Sequence, residues 1–221
     1  MNPIIIILGI LIVVIIYLLY SQLFPSSIVI SNVASLSHPN PPITSFANPG
    51  ASRYALGIWI YMNSLSNSYT NVIYSRNDNA NYALCLEPSS GPTLHFDINS
   101  YYGRESTVIT DNFPIQKWVC LLISVDNQFI DTYLDGKLVV STKLQGQPGP
   151  YSNDSNANPI SLASNVDGSI TRFTRWTTPI NPQQAYDFYM AGNGTSVLNS
   201  RYGASLNILK DNILSSSIPL F

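Results

Sequence analysis

The stretch from Lys117 to Lys143, KWVCLLISVDNQFIDTYLDGKLVVSTK, constrains this chain more than any other. Val119, Leu121, Ile123 and Val125 alternate with Cys120, Leu122 and Ser124, the two-residue period of a strand. Asp126-Asn127-Gln128 then interrupts the run with side chains that favour turns. Phe129–Leu134 resumes it, with Ile130, Thr132 and Leu134 on one face and Phe129, Asp131 and Tyr133 on the other. Asp135-Gly136 follows, a dipeptide that tolerates the positive φ angles of a type I′ hairpin turn. Lys137–Lys143 returns with Leu138 and Val140 facing opposite to Val139. The stretch therefore predicts a three-strand antiparallel meander. Its first strand is apolar on both faces, which places it in the interior of a sheet.

Further strands are expected at Tyr54–Met62, Asn71–Ser75, Tyr82–Glu87, Thr93–Ile98, Thr107–Thr110, Ile160–Ala163 and Ile170–Trp176. Asn-, Ser-, Gly- and Pro-rich turns separate them, and Gln145–Pro159 is the longest breaker-rich loop. Asn181-Pro182-Gln183-Gln184 is a helix start: Asn181 can cap, Pro182 suits the first helical position, and Gln184 completes a capping box. Gly192 suits the stop. Tyr186, Tyr189 and Met190 fall on one helical face and are expected to pack on the sheets. This pattern is that of an all-β antiparallel sandwich with one short helix.

The pattern of Trp118, apolar alternation, acidic turn, Tyr133 and Asp135-Gly136-Lys137 resembles the laminin G-like, concanavalin A-like jelly-roll family. YALGIWIYM resembles the family's early strand, with Trp59 at its centre, and GSITRFTRW resembles its late strand, closing on Trp176. Asn181–Gly192 looks like the short helix after it. The resemblance covers roughly residues 50–215 and makes Trp59, Trp118, Tyr133, Asp135, Gly136 and Trp176 the fold-defining set. It also implies a closing strand rather than a helix for Ser205–Ser215. Within the family the chain resembles short membrane-anchored minor capsid proteins of large icosahedral DNA viruses, most where Gly168–Trp176 is followed by Asn181–Gly194 and Ser205–Ser215. The fold alone leaves function open, because one sandwich serves many unrelated roles.

Pro3–Phe24 carries no charged side chain. As a helix its 22 residues would span about 33 Å, against a hydrocarbon core of roughly 30 Å. A retained transmembrane anchor over residues 1–24 is expected, with Ile4, Leu8, Leu11, Ile15, Tyr17, Leu19, Tyr20 and Phe24 in lipid or at its interface. A cleaved leader would want a basic start and a small-x-small site, and neither is present. Residues 25–52, rich in Pro, Ser and Asn, read as a spacer, with Ile28–Val33 able to form a short edge strand within it. The sandwich is then expected over 53–221.

Charged residues are only 10% of the chain, against about 25% in ordinary soluble domains. Every one lies from Arg53 onward, so no loop charge orients the anchor. Ser, Asn, Thr, Gln and Tyr supply the polar surface, which suits neutral partners or burial in an assembly. A net charge of −2 argues against nucleic acid.

No catalytic, metal-binding or cofactor-binding set is legible. The two glutamates, Glu87 and Glu105, lack the neighbouring carboxylate a glycanase needs. His38 and His95, with Cys85 and Cys120, show no zinc spacing, and both cysteines read as buried free thiols. Asp78, Asp111, Asp154 and Asp167 could serve a rim calcium but form no dense acidic loop. Asn153 and Asn193 head glycosylation sequons that chance also produces.

Two functions follow as expectations. The first is a non-catalytic structural protein tethering an internal virion membrane to its capsid shell, with the bilayer and other capsid or membrane proteins as partners. The second is a membrane-anchored, lectin-like adhesion module, in which exposed Tyr69, Tyr101, Tyr102 or Tyr151 stacks on sugars.

Overall fold

The computed structural model describes residues 9–16, 27–65, 70–76, 81–88, 91–149, 151–194, 205–210 and 213–219. Residues 9–16 are helical (α1), and strands follow at Ser27–Ser35 (β1), Arg53–Met62 (β2), Asn71–Arg76 (β3), Tyr82–Glu87 (β4), Thr93–Ser100 (β5) and Gly103–Thr110 (β6). The expected meander is Trp118–Asp126 (β7), Phe129–Leu134 (β8) and Lys137–Lys143 (β9). Then come Ile160–Leu162 (β10), Gly168–Trp176 (β11), the helix Pro182–Met190 (α2), Ser205–Lys210 (β12) and Ile213–Pro219 (β13). Two antiparallel sheets face each other, ordered β1-β11-β2-β7-β8-β9 and β10-β3-β4-β5-β6.

The meander is as the sequence requires. β7 lies between β2 and β8, and Val119, Leu121, Ile123 and Val125 point into the core between the sheets. Asp135 and Gly136 take φ of +46° and +76° and join Leu134 to its partner Lys137. Asp135 does more than turn the chain: its Oδ1 accepts from the Cys120 amide at 2.9 Å, and its own amide donates to the Cys120 carbonyl at 2.8 Å. Gly136 is required twice, because an added Cβ would also lie 3.2 Å from Tyr189 on α2.

The four expected aromatics meet in a second, smaller cluster on the outer face of the six-stranded sheet. Trp59, Tyr133 and Trp176 are buried there with Cys120, Leu122, Ala185 and Phe188, and Trp118 packs at the margin. Burial pushes the Cys120 thiol well above its ordinary range. Gly57 makes room for the Trp176 ring, which a Cβ would meet at 2.8 Å.

Helix α2 caps this cluster, and its capping box forms as expected, with Asn181 and Gln184 each bonding the other's backbone amide at 2.9 Å. Its packed face differs from expectation. Ala185 and Phe188 are buried and Tyr189 stacks on Trp59, whereas Tyr186 and Met190 are 47% and 62% exposed. Entering at Asn181, the helix is rolled so that the 185/188/189 stripe meets the sheet. A bulge in β11 supplies the clamp: Arg172, at φ +50°, donates to the Ala191 carbonyl at 2.9 Å and to the Gly192 carbonyl. A cation at a helix C-terminus opposes the negative end of its dipole.

Within the expected spacer, residues 27–52 differ most from expectation. β1 pairs antiparallel with β11 from Ser27↔Trp176 to Ser35↔Ser169, and Leu36 and Phe46 are buried in the core. Two fully buried arginines hold the turn that follows. Arg175 donates to the carbonyls of Ala47 and Asn48 at 3.3 and 3.0 Å, while Arg76 donates to those of Pro49 and Ser152. The Phe46 ring lies near both guanidiniums, at 5.5 Å from Arg175 and 5.3 Å from Arg76. Proline-rich composition marked irregular backbone correctly; backbone carbonyls answered by distant arginines make that irregular stretch part of the folded body.

Ser205–Ser215 also differs. Its strand pairs with the following β13 as a separate two-stranded sheet and does not close the sandwich. Of the anchor residues, Leu11 and Ile15 lie in α1, where both are exposed. Ile4, Leu8, Tyr17, Leu19, Tyr20 and Phe24 lie outside the described residues, as do Tyr69 and Asp78. Among the described residues no helix is long and apolar enough to cross a membrane.

Candidate functional site

A cleft of about 230 Å³ opens at one rim of the sandwich, lined by Asn81, Asn99, Ser100, Tyr101, Gly149 and Tyr151. Strand ends converge to form it. Asn81 leads into β4, Asn99 and Ser100 finish β5, and Tyr101-Tyr102 is the two-residue turn into β6. The Asn99 amide donates to the Asn81 carbonyl at 2.8 Å, fixing the two amide side chains beside one another. The loop after β9 forms the opposite wall. Glu105 holds it by accepting from the amides of Gln145 and Gly146 at 2.7 and 3.1 Å, and Tyr101 donates its own amide to Gln147. Burial raises the Glu105 carboxyl, but hydrogen bonds from Ser100 and those amides outweigh it and keep the group below its ordinary value.

Of the four tyrosines expected to meet a ligand, Tyr101 and Tyr151 line one cleft, with Tyr102 beside it. Their roles differ. Tyr101 is 84% exposed and packs edge-on against Tyr102 at 5.3 Å. Tyr151 is buried against the Arg76 guanidinium and forms the floor. The Nδ2 of Asn81 is buried and makes no hydrogen bond among the described residues. Every group lining the cleft is neutral. Amide donors and acceptors, a hydroxyl and an open aromatic ring can hold a small neutral polyhydroxylated molecule; no acid or base stands among them. At this volume the cleft is below the roughly 300–1,000 Å³ of sites for drug-sized ligands.

A second polar group lies on the outer face of the five-stranded sheet. Cys85 pairs directly with His95 across β4 and β5, and Asp97 follows two residues later on the same face. Their Sγ, imidazole nitrogen and carboxylate oxygen all lie within 4.8 Å of one another. Arg104 on β6 bonds Asp97 Oδ2 at 2.5 Å, and Glu87 Oε1 stands 4.0 Å from His95 Nε2. Hydrogen bonding to Asp97 and Cys85 raises the His95 imidazole from 6.5 to about 10, against the opposing effect of burial. Burial raises the Asp97 carboxyl, yet hydrogen bonds from His95, Ser106 and Arg104 prevail and hold it far below the usual carboxylate range. Sequence spacing hid this constellation: Cys85 and His95 are ten residues apart and meet only through strand register. His-x-Asp at strand period, opposite a cysteine in the preceding strand of a hairpin, is the signal that could have revealed it.

Of the acids weighed for a rim calcium, Asp111 is exposed, and Asp154 and Asp167 are engaged locally. Asp154 accepts from the amides of Asn156 and Ala157, and Asp167 from Ser64 and Asn63. Asn153, at the first sequon, is exposed and accepts from the Gly50 amide.

The family model described as the concanavalin A-like lectin/glucanases superfamily matches residues 35–186. The chain belongs to that superfamily. No curated protein sequence is similar enough to this lectin/glucanase-superfamily chain to count as a relative. Solved structures share its fold. A receptor-binding domain of botulinum neurotoxin mosaic serotype C/D matches 63% of the chain at 15% identity with a TM-score of 0.52, using 36% of its own length. The ligand-binding domain of botulinum neurotoxin serotype D, solved in complex with N-acetylneuraminic acid, matches 73% at 14% identity and a TM-score of 0.56, over 42% of its length. The binding domain of Paraclostridial Mosquitocidal Protein 1 matches 62% at 14% identity and 0.50, over 37%. The chain thus spans between 36% and 42% of the length of these three structures.

Proposed function

We propose that this superfamily member is a non-catalytic, lectin-like module that binds a neutral sugar unit in the rim cleft between Asn81, Asn99 and Tyr101. One observation carries this reading: a buried, unpartnered amide donor, Asn81 Nδ2, lines the same small neutral cleft as an open tyrosine ring. Buried polar groups are ordinarily bonded, and a sugar hydroxyl at that point would bond this one while the ring takes the apolar face of the sugar. The fold's similarity to a domain solved with N-acetylneuraminic acid supports the class of ligand. The neutral lining favours sugars without a carboxylate.

The test is a glycan array probed with the full chain in mild detergent, followed by titration of the best ligand. Tyr101→Ala should weaken binding roughly tenfold, the factor produced by about 1.4 kcal/mol. Affinity should change little between low and high salt, since screening acts on charges. Binding unaffected by Tyr101→Ala and Asn81→Ala, or abolished by moderate salt, would refute the assignment. Hydrolysis of a bound polysaccharide, lost on changing Glu87 or Glu105, would refute the non-catalytic reading.

We further propose that residues 1–24 hold the module at a bilayer, and that in a virion this joins an internal membrane to the shell. The uncharged run Pro3–Phe24 and the exposed apolar helix α1 support it. Carbonate extraction tests the anchor: release from membranes would refute it. Cross-linking in assembled particles tests the tether, and the absence of capsid-protein adducts would refute that.

A further inference from the structure

We propose that Cys85, His95 and Asp97 form a binding site for a zinc-class divalent metal ion on the outer face of the five-stranded sheet. The site is distinct from the rim cleft, and the inference does not depend on the glycan-binding reading.

The argument begins with the register. Alternation sends Leu84, Leu86, Leu94, Phe96 and Ile98 into the core, so Cys85, His95 and Asp97 all face the other way. All three are nonetheless buried, at 2%, 8% and 6% exposure, because their neighbours on β4, β5 and β6 crowd around them. Rigid paired strands fix the three side chains before any ion arrives, and this is the preorganisation a metal site needs.

The separations then select a coordination number. His95 Nε2 lies 3.6 Å and Cys85 Sγ 3.8 Å from Asp97 Oδ2. A tetrahedral ion with bonds of about 2.0–2.3 Å places its ligand atoms about 3.3–3.7 Å apart. Shifts of a few tenths of an ångström bring these two pairs to that spacing, and the third pair, Cys85 with His95, starts from within 4.8 Å. An octahedral oxygen cage is excluded by the donors: thiolate with imidazole and carboxylate suits zinc and its neighbours, and not magnesium or calcium. Three protein ligands leave a fourth position. It opens on the solvent side, where Glu87 is half exposed and can approach as a further ligand or accept from a bound water.

Arg104 opposes the ion, since its guanidinium already shares Asp97 Oδ2. Its side chain is 49% exposed and free to swing away. Without a metal, the proton on His95 and the cation of Arg104 together satisfy Asp97. With one, the ion replaces both, so binding displaces the His95 proton and strengthens as pH rises.

Cobalt(II) is the probe, because a thiolate ligand gives a near-ultraviolet charge-transfer band and tetrahedral geometry gives intense visible bands. Titrating the full chain in mild detergent should develop both with one equivalent of cobalt, and zinc should bleach them at the same stoichiometry. Cys85→Ser, nearly isosteric, should abolish the charge-transfer band, while Cys120→Ser leaves it intact. His95→Gln and Asp97→Asn should weaken binding at least tenfold. Arg104→Ala, at an exposed side chain that leaves the fold intact, should tighten binding, because the competing cation is gone. Absence of a one-equivalent band in the unaltered protein, its survival in Cys85→Ser, or an unchanged affinity in Arg104→Ala would overturn the proposal.

Discussion

Replacing Phe188 by alanine tests how the outer cluster and its helix are held. Phe188 is 7% exposed, and its ring meets Trp176 edge-on at 5.3 Å and 75°. The Arg172 guanidinium sits over it at 4.9 Å. Burying a phenylalanine contributes about 1.5–3 kcal/mol. The edge-to-face pair adds about 0.5–1.5 kcal/mol, and a partly exposed cation over the ring about 0.5–1 kcal/mol. Together these agree with the roughly 3–5 kcal/mol found for truncating buried aromatics. At about 2–4 °C per kcal/mol for a domain this size, the melting temperature should fall by some 6–20 °C. The loss has a ceiling, because α2 can lift away from the sheet before the sandwich unfolds. Tryptophan emission reports that event directly, since Trp59 and Trp176 line the surface that α2 covers. The assay is thermal unfolding of the full chain, followed in parallel by far-ultraviolet circular dichroism and tryptophan fluorescence. Phe188→Ala should red-shift the native emission and lower the midpoint. A midpoint within about 2 °C of the unaltered protein, with unshifted emission, would refute the packing of α2 on Trp176.

Leu121→Ala, at a fully buried position in the central strand, should destabilise by about 2–5 kcal/mol in urea titrations; a change under about 1 kcal/mol would contradict the register of β7. Stability of the metal-free protein should decline from about pH 6.5 to about pH 10, as the raised His95 loses its proton. A group with an elevated folded pKa stabilises fully below its unfolded value, and Cys85, Glu87, Asp97 and Arg104 are the titratable or charged groups facing it. Asp97, depressed by those partners, stabilises above the ordinary carboxylate range near 4 and gives way only in strong acid. His95→Gln should flatten the alkaline slope, and an unchanged slope would refute the His95–Asp97 linkage.

Where one property decides the outcome locally, the chain could be read without coordinates. Strand period alone put Val119, Leu121, Ile123 and Val125 on one shared face, and the structure turns that face to the core. Asp135-Gly136 announced its turn because few other residues accept two positive φ angles, and Asn181 with Gln184 announced a capping box that depends only on a spacing of three. Failures share a different cause. Whether residues 27–52 belong to the sandwich depended on Arg76 and Arg175 reaching the carbonyls of Ala47, Asn48 and Pro49, which no local pattern reports. The stripe of α2 that meets the sheet was set by the clamp from Arg172, on a bulge that leaves no mark in composition. Asn81 and Tyr151, which frame the cleft with Tyr101, are joined by loop closure, and Cys85, His95 and Asp97 by register.

The attachment of β1 at the margin of the six-stranded sheet has a mechanical consequence. A pull on the chain ahead of Ser27, directed away from that margin, would load the Ser27–Trp176 rung first and then open the ladder rung by rung towards Ser35. Such unzipping needs little force, because each rung fails alone. Beyond Ser35 the geometry changes: Leu36 and Phe46 are sunk in the core, and the carbonyls of Ala47, Asn48 and Pro49 are gripped by two arginines from different strands. Tension arriving there is shared among several bonds loaded at once. The fold thus provides a soft leading strand backed by a stiff stop, so a tethered copy could yield by the length of β1 under a sudden tug and still keep its cleft intact.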